Sequence, residues 1–135
     1  MNNYTFDEIK LGMTESFKVT VTEEMMNYFL KITGDNNPLH MPSSDPNKRR
    51  IVYGMLTASF ISTLGGVYLP GKNCLIHKVE TAFVTPVHIG DELTVSGTVD
   101  KIMEAFKTIM IKVEIRNQDG VKVLRGKLEA GVLDE

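Results

Sequence analysis

With 135 residues, 42% of them hydrophobic and 24% charged, the chain has the size and composition of one globular domain (residues 1–135) rather than two. A net charge of −2 excludes a general basic field for nucleic acid and leaves Lys48-Arg49-Arg50 as the one cationic cluster. The single cysteine, Cys74, excludes an internal disulfide and suits a reducing, cytoplasmic location, and MNNYTFDEIK lacks the basic-then-apolar pattern of a secretory signal.

The first element is TESFKVTVT, residues 14–22, where β-branched residues alternate with polar ones as in a strand. Thr22 followed by Glu23 and Glu24 is an N-cap signature, Met26, Phe29 and Leu30 fall at helical spacing, and Gly34 is a natural stop. Residues 35–50 contain Pro38, Pro42 and Pro46, a spacing that excludes any regular element and leaves a long loop. Loops of that length in a compact domain tend to be functional.

A second helix is expected from Tyr53 or Gly54 to Leu64, ended by Gly65-Gly66. The stretch 51–70 carries no charge and is long enough to cross a bilayer, but its three glycines, its hydroxyl residues and Pro70 favour a helix wrapped on all sides by protein. Four β-like segments follow, CLIHKVETAFVTP, DELTVSGTVDKIM, FKTIMIKVEIRN and VKVLRGKLEAGVL, with IGD and QDG as turns. Sequential strands on short turns are expected to pair antiparallel. The sum is an α+β domain, a long antiparallel sheet wrapped around a central helix, with an edge that a second copy can extend.

The loop carries the chemistry. Asp35 and His40 flank Pro38, which fixes its own φ and holds Asn37 extended, so that a turn can bring carboxylate and imidazole toward one point. Such a pair sharing one water is a general acid/base device, with Asn37 available to hold the carboxylate. GDNNP is equally a run of turn formers, in which Asp35 only braces the loop. No metal site is expected, because His40, His77 and His88 are scattered and no pair has helical zinc-site spacing. Gly54, at the start of the buried helix, offers free N–H groups and a positive dipole end to a developing oxyanion, or is simply a helix start in a crowded place. Lys48, Arg49 and Arg50 are either a solvated loop or a seat for an anion such as a nucleotide phosphate.

TGDNNPLH, then VYGMLTASFISTLGGVYLPG, then FVTPVHIGDELTVSGTV resemble in sequence and order the MaoC-like (R)-specific enoyl-CoA hydratases, over roughly residues 14–133. The resemblance implies a hot-dog fold and reversible addition of water to a trans-2-enoyl thioester. It implies Asp35 and His40 as the catalytic pair, Asn37 as its support, the N–H of Gly54 as the donor to the thioester oxygen, and Ser62 near the site. Met55, Leu56 and Phe60 are candidates for the acyl wall, with core packing as their plain role. No cofactor is implied beyond the CoA or acyl-carrier arm of the substrate, and homodimers are implied. Two departures stand out: HMPSSDPNKRR is shorter than the family's segment and lacks its further acid, and Tyr53 stands where the family often has histidine. Two other readings stay open, a hot-dog thioesterase and a non-catalytic acyl-thioester-binding protein. No Asp or Glu between Ile51 and Pro70 supplies the helix carboxylate that a thioesterase needs.

Overall fold

The computed structural model describes residues 1–133. Alternating apolar and polar side chains give five strands, β1 Thr14–Thr20, β2 Cys74–Phe83, β3 Glu92–Met103, β4 Thr108–Arg116 and β5 Lys122–Val132. They form one antiparallel sheet in the order β1-β3-β4-β5-β2. The inward residues of β3, β4 and β5, among them Leu93, Val95, Ile109, Ile111, Leu124 and Leu128, are buried. Each such side chain contributes about 1.5–3 kcal/mol of transfer free energy.

Helix α1, Glu23–Thr33, starts where Thr22 Oγ1 accepts the Met25 N–H at 3.2 Å. It ends at Gly34, whose φ of 71° is the left-handed conformation that glycine adopts without a Cβ penalty. Helix α2, Gly54–Thr63, sends Leu56, Thr57 and Ile61 inward. A methyl group on Gly97 of β3 would sit 2.8 Å from Ile111 and 2.9 Å from Leu64, so the bare backbone of Gly97 is what lets the helical run settle onto the sheet.

Four expectations need correction. The helical run does not stop at Gly65-Gly66 but continues as a π turn over Leu64–Tyr68. Gly65 has no side chain to hold it off Leu128 and Cys74, so the chain keeps winding against the sheet. The second correction is to strand pairing: β2 and β3 follow one another but do not pair, since β2 lies at the far edge against β5. The segment between them spans the gap instead, pinned by the Val52 N–H on the Val87 carbonyl at 2.8 Å and by an Ile51–His88 bridge. Third, the proline-rich loop holds one short 3-10 turn, Pro38–His40, because proline is welcome at a first helical position. Finally, α2 is not wrapped on all sides. Met55, Ser59 and Ser62 form an exposed stripe at helical spacing, because five strands cover only one face of the helix.

Candidate active site

The left-handed Gly34 turns the chain out of α1 directly into Asp35. The Asp35 N–H donates to Thr33 Oγ1 at 3.2 Å, and Asp35 Oδ1 accepts the Asn37 N–H at 3.2 Å. Asn37 Oδ1 in turn accepts the Leu39 N–H at 2.9 Å. These are two successive turns closed by side-chain oxygens, the local geometry that Asp and Asn favour. Asn37 therefore touches the carboxylate through its backbone N–H. Its side chain is occupied in capping the Pro38–His40 turn.

His40 closes that turn and points back toward the body of the domain. Its Nδ1 lies 2.8 Å from the Ile51 carbonyl oxygen. A carbonyl only accepts, so Nδ1 carries the proton, and in the neutral ring Nε2 is left as the acceptor. The ring packs against Tyr53, with centroids 4.3 Å apart.

Gly54 is the first residue of α2, where helix geometry leaves backbone N–H groups without intrahelical acceptors. A methyl group here would come within 3.2 Å of the Phe83 ring. His40 and Gly54 line one cavity of about 260 Å³, whose apolar walls include Leu39, Val52, Phe83, Val84 and Val123. Thr57 lines it too, and its hydroxyl oxygen is buried without a hydrogen-bond partner.

The other candidates lie elsewhere. Asp35 is exposed and does not line this cavity. Met55, Leu56 and Phe60 are not among its walls either: Met55 is 65% exposed, Leu56 is in the core, and Phe60 packs against the core. Helical periodicity turns those three away from the Gly54 end, and strand residues from β2 and β5 take their place. Ser62 is on the exposed stripe of α2.

The cationic cluster divides. Arg50 is withdrawn from it, because its Nε donates to the His40 carbonyl at 2.7 Å and its guanidinium lies 3.6 Å from Glu23, with the side chain only 10% exposed. Lys48 and Arg49 remain exposed, and all three cations line a larger cavity of about 670 Å³ with Met41, Pro42, Ser43 and Ser44. Leu39 and Ile51 border both cavities, so the two adjoin. Among the described residues, no group of three His, Cys, Asp or Glu side chains is placed to hold a metal ion, and no helix is long and apolar enough to cross a membrane.

Sequence reasoning missed Phe83, Val84, Val123 and Thr57. The first three reach the site only through the pairing of β2 with β5, which leaves no local signal. Thr57 shows itself only through a hydroxyl that the fold buries unpaired.

A family profile described as MaoC like domain matches residues 7–121. An (R)-specific enoyl-CoA hydratase of Rhodospirillum rubrum is 32% identical over 111 residues, covering 79% of this chain and 77% of that protein. A 3-hydroxybutyryl-CoA dehydratase of Methylorubrum extorquens is 32% identical over 102 residues, covering 73% of this chain and 65% of that protein. Among solved structures, an R-hydratase from Pseudomonas aeruginosa in its unliganded form superposes with a TM-score of 0.92 at 26% identity, covering 98% of this chain and 88% of that one.

Proposed function

The chain belongs to the MaoC-like domain family, and from that premise we infer that it is an (R)-specific enoyl-CoA hydratase, equally a 3-hydroxyacyl-thioester dehydratase. Such an enzyme is a hydro-lyase that reversibly adds water across the double bond of a trans-2-enoyl thioester. The observation that carries the reading is the cavity shared by an oriented imidazole and a helix N-terminus. His40 is held by Ile51 with one ring nitrogen free, and Gly54 presents beside it a backbone N–H that has no intrahelical acceptor.

In this reading the thioester carbonyl oxygen accepts from the N–H of Gly54. Asp35 takes a proton from the water, whose oxygen bonds to the β-carbon. The π pair of the double bond shifts toward the carbonyl as an enolate, and the oxyanion is stabilised by donors fixed in advance. The enolate then collapses to form a C–H bond at the α-carbon. His40 Nε2 holds the water and relays the proton that Asp35 removed to that carbon, so Asp35 and His40 end as they began and the net change is one water consumed.

Lys48 and Arg49, in the adjoining cavity, are suited to the anionic arm of the substrate, either the phosphates of CoA or an acidic carrier protein. A second copy of the chain is the natural partner for β2, an edge strand that leaves Leu75, Ile76, Val79 and Phe83 each at least 40% exposed. A homodimer built there would also lie beside the exposed stripe of α2.

The test follows the absorbance of the conjugated enoyl thioester with crotonyl-CoA. It falls with the wild-type chain, and Asp35→Asn or His40→Ala each slows it by about 10²–10⁴-fold. Full activity in both variants removes the pair from the mechanism. Release of free thiol with the double bond intact identifies a thioesterase instead.

A further inference from the structure

Tyr53, the residue just before Gly54, is 1% exposed. Its ring packs against two others, Phe29 of α1 with centroids 4.6 Å apart and His40 at 4.3 Å. Its hydroxyl donates to the backbone carbonyl of Asp35 at 2.7 Å. Its own carbonyl accepts the N–H groups of Leu56 and Thr57 at 3.1 and 3.2 Å, forming the first turn of α2. One residue thus touches the segment of the carboxylate, the face of the imidazole and the start of the helix that begins at Gly54.

We propose that Tyr53 is the positioning residue that registers Asp35, His40 and the Gly54 N–H to one another. The proposal rests on the hydratase reading for its catalytic consequence. The other hydrogen bonds of Asp35, to Thr33 and Asn37, are local and move with the loop. The Tyr53 hydroxyl is the bond that fixes Asp35 against the body of the domain, from a residue 18 positions away in sequence. The ring has a separate task. It keeps the imidazole in the plane where Nδ1 meets the Ile51 carbonyl, which decides that Nε2 is the nitrogen left for chemistry. A phenylalanine would fill the same space and lose only the bond to Asp35, so the two tasks separate by substitution.

The experiment uses two variants and two readouts. Tyr53→Phe is expected to lower kcat for crotonyl-CoA hydration about tenfold, the worth of one hydrogen bond, with KM changed less than about twofold. In an Asp35→Asn background the same substitution is expected to cost nothing further, because the hydroxyl works through Asp35. Tyr53→Leu removes the ring. Long-range ¹H–¹⁵N spectra of the neutral His40 ring are expected to pass from a single Nδ1–H tautomer to a mixture, with the fold retained by near-ultraviolet circular dichroism. An unchanged kcat in Tyr53→Phe, an equal loss in the Asp35→Asn background, or a single tautomer persisting in folded Tyr53→Leu overturns the proposal. The spectrum needs no turnover. If the wild-type chain hydrates no thioester, the hydratase reading fails by itself and the imidazole spectrum still decides whether Tyr53 holds His40. If Tyr53→Leu does not fold, the kinetics of Tyr53→Phe decide.

Discussion

Replacing Gly54 in two ways isolates one backbone N–H. In Gly54→Ala the new methyl group meets the Phe83 ring at 3.2 Å, which is tight, but the ring is 52% exposed and has room to turn. Alanine is also the better helix former by about 1 kcal/mol, so the two effects nearly cancel and the stability of Gly54→Ala is expected to stay within about 1 kcal/mol of the wild type. Gly54→Pro removes the N–H and puts the ring Cδ in its place. Proline is tolerated at the first helical position, and Tyr53 before it has φ −54° and ψ 126°, a conformation that a residue preceding proline adopts readily. The fold should therefore survive the proline as well. Loss of an oxyanion donor costs about 2.7–4 kcal/mol in the transition state, or 10²–10³ in kcat. The expectation is that Gly54→Pro is slower than Gly54→Ala by that factor in crotonyl-CoA hydration, while thermal unfolding shows both folded. Equal rates in the two variants would mean that the thioester oxygen does not sit on this N–H, and the placement of the substrate would have to be redrawn.

Arg50→Met removes a charged hydrogen bond to the His40 carbonyl and is expected to cost about 1.5–3 kcal/mol in chemical denaturation. Glu23→Gln, which leaves that bond intact and loses only a pair 70% exposed on the glutamate side, should cost less than about 0.5 kcal/mol. Lys48→Ala with Arg49→Ala should raise KM for CoA thioesters and leave kcat unchanged, with the difference shrinking as salt is added; a salt-independent KM would place the phosphates elsewhere. Burial pushes the Cys74 thiol up, so it stays protonated further into the alkaline range than a free cysteine. The stability it contributes is full below the unfolded thiol's pKa and is lost as pH rises toward the folded one. Native protein at pH 8 should react more slowly with a thiol reagent than unfolded protein does.

Much of the fold was legible because its signals are local. Thr22 with the two glutamates behind it, Gly34, and the alternating strands each act within a few residues, and each appears where the sequence places it. What was not legible depends on distant pairings. β2 reads as the first arm of a hairpin, yet its register with β5 satisfies its backbone and leaves β3 to pair with β1 and β4. The walls around His40 and Gly54 follow from that choice, which is why Phe83 and Val123 were invisible while Met55, Leu56 and Phe60, adjacent to Gly54 in sequence, drew attention. Arg50 reads with Lys48 and Arg49 as one cluster, and only the position of the His40 carbonyl separates it from them.

The sheet order also bears on how the chain is made. β2 leaves the ribosome well before β5, and among the described residues β5 is its one neighbour in the sheet, so β2 must wait, backbone unpaired and rich in Leu75, Ile76 and Val79, until the last of the five strands is available. A chain stopped short of Lys122 would lose the strand that joins the two parts of the sheet, giving an aggregation-prone fragment rather than a smaller working enzyme.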